Sequence, residues 1–268
     1  MTPYGAGMAS PGAFAQIGPL RLYYEDHGED RGDRVPLVLL HGGGSTIGTN
    51  FGELIPLLAG TRRVIAVEEQ GHGHTPAIDR PFTFESSADD VAGLLGQLGV
   101  TSADVLAFSN GGNVALALVT RHPAAVRRLV LASTPFRRDG MVDGFWDGLA
   151  GGTLQDMPDV YREADLRINA DPAHVERLFR QDRDRMLAFA DVPDAELAAI
   201  SAPTLVVAGD RDVIRTEHAV ELARLIPGAR LLVLPATHGD YLGEEFAAAG
   251  DLELMRLTAP LLLRFLDA

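Results

Sequence analysis

Short apolar runs alternate along this chain with stretches whose apolar residues recur at helical spacing, the pattern of a mostly parallel sheet covered by helices on both faces. Ala13–Ile17 and Leu20–Asp26 read as an antiparallel strand pair turning at Gly18-Pro19. Val35–Leu40 is continuously apolar and stops at His41-Gly42-Gly43-Gly44, as a buried strand feeding a glycine loop would. Arg63–Glu68, Asp104–Phe108, Arg128–Ala132, Thr204–Ala208 and Arg230–Leu234 read as further strands. Ala88, Val91, Leu94, Leu95 and Leu98 fall on one helical face, with Asp89 and Asp90 near the expected start and Gly99 past the end. Val114–Val119 is apolar on every side, which demands a central, buried helix. Helices are also expected around Glu217–Leu225 and from Tyr241 to the C-terminus, with an irregularity at Gly250-Asp251.

Between Pro135 and Ser201 the alternation stops. The stretch is more charged, carries the only tryptophan, Trp146, and places Val175, Leu178, Phe179 and Met186 at helical spacing. It is too long for a simple connection, so it reads as an inserted helical cap. The expected organisation is a loose tail over 1–12, an α/β core formed by 13–135 and 202–268, and a cap over 136–201.

Composition narrows the classes of function. Hydrophobic residues make up 46% of the 268, enough for a large core. A net charge of −14 with no basic cluster argues against nucleic acid or an anionic membrane surface as a partner. With no cysteine, thiolate chemistry and Cys-based metal sites are excluded. No run approaches the roughly 20 apolar residues of a membrane span, and Met1–Gly12 has neither a basic start nor an apolar stretch. The expectation is a soluble cytoplasmic protein.

Four loops, each just past an expected strand, carry the candidate chemistry. Ala107-Phe108-Ser109-Asn110-Gly111-Gly112 is a strand turning sharply into a helix, with Ser109 exposed at the turn and small neighbours allowing close approach. The helix N-terminus there favours developing negative charge. In His41-Gly42-Gly43-Gly44 the glycines leave backbone N–H groups free to stabilise an oxyanion, and no nearby lysine suggests a phosphate loop. His41 itself reads as a structural hydrogen-bonding residue. Ala208-Gly209-Asp210-Arg211-Asp212 and Thr237-His238-Gly239-Asp240-Tyr241 supply an acid and a base. A serine hydroxyl needs that base, and the base needs an anion to fix its tautomer. The order Ser, Asp, His, each at the C-terminal end of a strand, places them at the sheet edge where open α/β proteins bind ligands.

Other histidines carry blander readings. His72 and His74 sit two apart, but no carboxylate pattern completes a metal site, so both read as structural. Asp240 reads as a helix N-cap. His27, His122, His174 and His218 stand in polar contexts and are expected to face solvent.

From about Phe14 onward the chain resembles the α/β-hydrolase-fold family. The resemblance rests on His41-Gly42-Gly43, Glu68-Glu69-Gln70-Gly71-His72-Gly73-His74-Thr75, the Ser109 turn, Gly209-x-x-Asp212 and His238. It implies Ser109 as nucleophile, His238 as base and Asp212, from the G-x-x-D stretch, as the acid ahead of Asp210. It also implies Gly43 and Asn110 as oxyanion donors, with Gly44 as a third. The chain departs from the family where Ala107 replaces the first glycine of G-x-S-x-G. Glu68 and Gln70 stand where Asp and Arg are frequent, and Thr75 where Ser is.

The implied activity is hydrolysis of a carboxylic ester through an acyl-enzyme, without metal or organic cofactor, on a small-molecule substrate. Gly44, Met141, Phe145, Trp146, Phe179 and Met186 are candidates for an apolar pocket suited to an apolar or aromatic group. Serine at 109 argues against epoxide opening and dehalogenation, which use a carboxylate nucleophile. A lactonase or a carbon–carbon bond hydrolase would use the same triad. A non-catalytic ligand-binding member and a cofactor-free proton-transfer enzyme are the rivals of other classes.

Overall fold

Runs of apolar residues with no polar alternation fold as strands buried on both faces. In the computed structural model, which describes residues 12–30, 32 and 34–268, those runs form one eight-stranded sheet. In chain order the elements are β1 (Ala13–Ile17), β2 (Leu20–His27), β3 (Leu37–Leu40), the short helices α1 (Ile47–Phe51) and α2 (Ile55–Ala59), β4 (Val64–Val67), α3 (Phe84–Gln97), β5 (Ala103–Phe108), α4 (Asn110–Arg121) and β6 (Val126–Ala132). Then come α5 (Phe145–Gly151), α6 (Asp159–Asn169), α7 (Pro172–Leu187), α8 (Asp194–Ala198), β7 (Thr204–Gly209), α9 (Thr216–Leu225), β8 (Arg230–Leu234), α10 (Glu245–Ala248) and α11 (Glu253–Leu266). All but Gly12 of the expected 1–12 tail lies outside the described residues.

The strand order is β1-β2-β4-β3-β5-β6-β7-β8. β2 pairs antiparallel with β1 and β4, and every pairing from β4 to β8 is parallel. Alternate residues serve opposite faces. Val38 and Leu40 join Leu94, Val114 and Leu222 on the side of α3, α4 and α9. Leu37 and Leu39 join Phe51, Leu58 and Leu262 on the side of α1, α2 and α11.

Two helix ends differ from expectation. The Thr83 hydroxyl accepts from the Ser86 N–H at 3.1 Å and the Ser86 hydroxyl accepts from the Thr83 N–H at 3.1 Å, a reciprocal cap that starts α3 one turn before Asp89. Asp89 and Asp90 therefore lie inside the helix, bonded to Arg121 and Arg80. The helix expected from Tyr241 begins later, at Glu245, and Ala249 and Gly250, with φ of 47° and 89°, break it at the expected irregularity and separate α10 from α11. Among the described residues no helix is long and apolar enough to cross a membrane.

The stretch between β6 and β7 holds α5 to α8. α7 begins where Asp171 accepts from the Ala173 N–H and Pro172 supplies a preset first turn. It buries Val175 and Leu178 against Met157, and also Asp182, Arg185 and Met186.

Candidate active site

Ser109 stands between β5 and α4 with φ 54° and ψ −120°, a conformation sparsely populated by side-chain-bearing residues and held by its neighbours. Its N–H donates to the Ala132 carbonyl at 2.9 Å and its carbonyl accepts from Gly112 at 2.8 Å. A Cβ on Gly111 would lie 2.3 Å from the Leu40 carbonyl oxygen, so glycine is required for α4 to sit this close to β3. The turn leaves the Ser109 side chain half-buried at the wall of a cavity.

Ser109, His238 and Asp212 lie together although far apart in sequence. His238 Nε2 is 3.0 Å from Ser109 Oγ, and its Nδ1 is 2.6 Å from Asp212 Oδ1. A carboxylate only accepts, so Nδ1 carries the proton and Nε2 is left to accept from the hydroxyl. Burial pushes the Asp212 carboxyl up. The His238 imidazole, the Ser133 hydroxyl and the Ile214 N–H outweigh it and hold the group below its ordinary value. Asp210 is not in this chain of contacts; it accepts from the Ala236 N–H at 3.0 Å. Asp240 is not the expected N-cap: its carboxylate accepts from the Thr237 N–H at 3.1 Å and braces the turn that carries His238.

One side-chain partner of Asp212 escaped the sequence reading. The Ser133 hydroxyl donates to Asp212 Oδ2 and lies 2.7 Å from the Tyr241 hydroxyl. Ser133 follows a buried strand and takes φ of 47°. A small polar residue at a strand's C-terminal end was the only available signal.

Gly43 and Asn110 face the same cavity as Ser109. As the first residue of α4, Asn110 has no carbonyl one turn back to accept its N–H. A Cβ on Gly43 would fall 2.5 Å from Asn110 Nδ2, so a side chain there would push the Asn110 amide aside. Gly44 also borders the cavity, but its N–H already donates to the Asp182 carboxylate.

The cavity measures about 270 Å³, and Met141, Phe145, Phe179 and Met186 line it along with Leu149, Met157 and Ile214. Trp146 is elsewhere. Its indole N–H donates to the Arg138 carbonyl at 2.8 Å and its ring stacks parallel to Phe189 at 6.4 Å. On a short helix its neighbour Phe145 points inward instead. The charged groups on the wall are Asp156, Asp182 and Arg183.

Beneath α7 lies a buried polar cluster. Asp182 accepts from His72 Nε2 at 2.9 Å and from Arg185 at 3.0 Å, and Arg185 donates to Glu69 at 2.6 Å. Burial raises the Asp182 carboxyl, but His72, Arg185 and the Gly44 N–H more than reverse this and hold it well below the usual carboxylate range. His41 is fully buried; burial and then His72 lower its pKa, so the ring is neutral, accepting from the Glu69 N–H at 3.2 Å. His74 pairs with Glu68 at 3.0 Å. His72, His74 and His41 are thus each held by neighbouring polar groups. His218 does not face solvent: it is 4% exposed, stacks on Phe136 at 4.1 Å and accepts the Phe136 N–H at 3.0 Å. His27 and His174 are also largely covered, by Glu25 and Asp165 contacts, and only His122 is well exposed among these four.

A hydroxyl, an imidazole and a carboxylate in line, beside two loop N–H groups, can pass a proton from oxygen to nitrogen and back while negative charge grows nearby. A family model described as the α/β hydrolase fold matches residues 35–185. The chain is 33% identical over 236 residues to a pimeloyl-[acyl-carrier protein] methyl ester esterase of Neisseria meningitidis serogroup C, covering 78% of this chain and 90% of that protein. It is 31% identical over 258 residues to a 2-hydroxymuconate semialdehyde hydrolase of Pseudomonas sp. strain CF600, covering 82% and 91%. The crystal structure of the enol-lactonase from Burkholderia xenovorans LB400 superimposes with a TM-score of 0.75 at 24% identity, covering 95% of this chain and all of that one.

Proposed function

This chain belongs to the α/β hydrolase fold family, and on that premise we propose that it is a serine hydrolase cleaving a small, uncharged carboxylic ester through an acyl-enzyme. The reading rests on one observation: Ser109 Oγ, His238 and Asp212 form an unbroken relay, at 3.0 and 2.6 Å, on the wall of an apolar cavity. Ser109 attacks the ester carbonyl as His238 Nε2 takes its proton. Asp212 stabilises the imidazolium, with Ser133 and Ile214 keeping its carboxylate in place. The N–H groups of Gly43 and Asn110 hold the oxyanion. His238 then protonates the leaving alcohol, and water releases the acid by the same steps in reverse. Gly44 takes no part in this hole, since Asp182 occupies its N–H.

Residues 136–201 act as a cap over the core of 13–135 and 202–268, and supply Met141, Phe145, Phe179 and Met186 to the substrate's apolar portion. A lactone is an ester and fits the same chemistry. Carbon–carbon bond hydrolysis by the same triad is the second reading, kept because a relative at 31% identity is named a 2-hydroxymuconate semialdehyde hydrolase. The charge of the wall favours the ester: Asp182 is balanced by Arg185 and Arg183 by Asp184, which leaves Asp156 without a cation among the described residues and so opposes an anionic substrate.

The test pairs a fluorophosphonate probe with p-nitrophenyl acetate and butyrate. Wild-type protein is expected to be labelled and to turn over both esters, and Ser109→Ala to lose labelling and about 10⁶-fold in kcat. Labelling that persists in the variant refutes the nucleophile. Labelling without ester turnover favours the carbon–carbon reading.

A further inference from the structure

Three glycines in a row, 42 to 44, leave the loop after β3 without side chains to fix its peptide planes, so its direction is set from outside. The Gly42 N–H donates at 2.6 Å to Oδ1 of Asn50, a wholly buried residue of α1. The Gly44 N–H donates to the carboxylate of Asp182, on α7. Between these two held groups the Gly43 N–H has no acceptor among the described residues. Its peptide is gripped at the other end, where His41 Nδ1 donates to the Gly42 carbonyl at 2.8 Å. His41 and Asn50 precede β4, beside the loop itself. Asp182 comes from the stretch inserted between β6 and β7.

A carboxylate close to a forming oxyanion opposes it unless its own charge is cancelled. Asp182 is that close: a Cβ on Gly43 would lie 3.4 Å from its Oδ2. Its charge is cancelled. Both nitrogens of His72 face oxygens that only accept, Asp182 Oδ2 at 2.9 Å and the Gln70 carbonyl at 3.2 Å, so the ring carries both protons and a positive charge. Asp182 and Glu69 are thereby matched by His72 and Arg185, and all four are buried. What reaches Gly44 is an acceptor mounted on a neutral frame.

We infer that Asp182 is a positioning residue for the oxyanion hole: by holding the Gly44 N–H it fixes the tilt of the neighbouring peptide, whose Gly43 N–H meets the oxyanion. The inference rests on the hydrolase reading proposed above. Peptides are planar, so holding the groups on either side of the Gly43 N–H leaves it one direction. Releasing one holder lets that direction wander, which weakens a contact made in the transition state and leaves ground-state binding alone. Phe179 and Met186, on the same helix, act on the fit of the substrate; Asp182 is the insert's one contribution to the chemistry.

The test removes the acceptor without stranding Arg185 or Glu69. In a background carrying Arg185→Met and Glu69→Gln, Asp182 is still paired with His72. There Asp182→Asn keeps an oxygen facing Gly44, whereas Asp182→Ala and Asp182→Ser remove it, and either of these serves if the other fails to fold. With p-nitrophenyl butyrate, Asp182→Asn is expected to hold the background's kcat within about threefold. Asp182→Ala or Asp182→Ser is expected to lower kcat by about 10- to 100-fold, short of the loss of a whole donor, with KM held within about threefold. The Ki of butylboronic acid, whose adduct on Ser109 places an oxygen in the hole, is expected to rise by the same factor. A rise in KM with kcat unchanged, as a displaced α7 would produce through Phe179 and Met186, overturns the inference. So does an equal kcat in the Asn and Ala variants when wild type is labelled by fluorophosphonate, a result that leaves the hydrolase reading standing. A wild type that is not labelled removes that reading, and this inference with it.

Discussion

The rim of the sheet and the underside of the inserted helices meet at one cavity, yet different forces hold them. At the rim, Ser109, Asp212 and His238 ride on the ends of β5, β7 and β8, whose partners are fixed by parallel backbone ladders and by two apolar layers. The insert meets the same loops through charge: Asp182 on Gly44 and His72, and Arg185 on Glu69, with Tyr161 on Glu244 at 2.7 Å. The rim is thereby placed by many weak and mutually supporting contacts. The insert is placed by a few strong, directional ones, where losing a single partner strands a buried charge. In the proposed function chemistry belongs to the first region and shape selection to the second, so substitutions should separate the two.

The largest effect is expected at the rim. Asp212→Asn should lower kcat for p-nitrophenyl esters by about 10⁴ while leaving the urea midpoint nearly unchanged, because the imidazole loses the anion that sets its tautomer but no apolar surface is exposed. A fall in stability of similar weight would blur the distinction between the regions. Next comes Arg185→Met, which leaves Glu69 buried without its cation and Asp182 with His72 alone, and should destabilise the fold by about 3–5 kcal/mol in urea unfolding. Adding Glu69→Gln and Asp182→Asn to that variant should recover most of the loss. If the single variant is as stable as wild type, charge is not what fastens the insert.

The smallest effect lies at the joint, where the chain leaves β6 and Phe136 donates its N–H to His218. Burial lowers the His218 pKa to about 4. An unfolded histidine takes up its proton near 6.5, so between those values the unfolded chain binds more protons than the folded one. Stability should therefore fall as pH drops from about 6.5 to 4, by up to about 3 kcal/mol from this group. His218→Gln, which keeps an acceptor but does not titrate, should flatten that slope in urea midpoints measured across the interval.

The same contrast explains what was legible in the sequence. Buried strands announce themselves as unbroken apolar runs, and their C-terminal ends carried Ser109, Asp212 and His238 within short readable motifs. Phe145, Phe179, Met141 and Met186 were found because apolar residues in an insert have few places to go. Trp146 obeyed the same logic and failed it, because adjacent residues on a short helix point in different directions. Asp182 could not be read: its contact with Gly44 spans 138 residues and leaves no local pattern. Nor could Ser133 or the burial of His218, since the composition around a residue does not reveal which distant surface will cover it. The Thr83–Ser86 cap was visible in principle, as a hydroxyl pair three apart ahead of an apolar face, and was overlooked in favour of the acidic pair Asp89 and Asp90.

The left-handed backbone at Ser109 has a bearing on how this protein would respond to selection. A side-chain-bearing residue held at φ 54° sacrifices on the order of 1–3 kcal/mol that glycine at the same position would recover. A laboratory screen rewarding heat resistance alone would thus drift toward Ser109→Gly, trading turnover for robustness at one codon. Improvement campaigns on this scaffold have to score product formed, not survival.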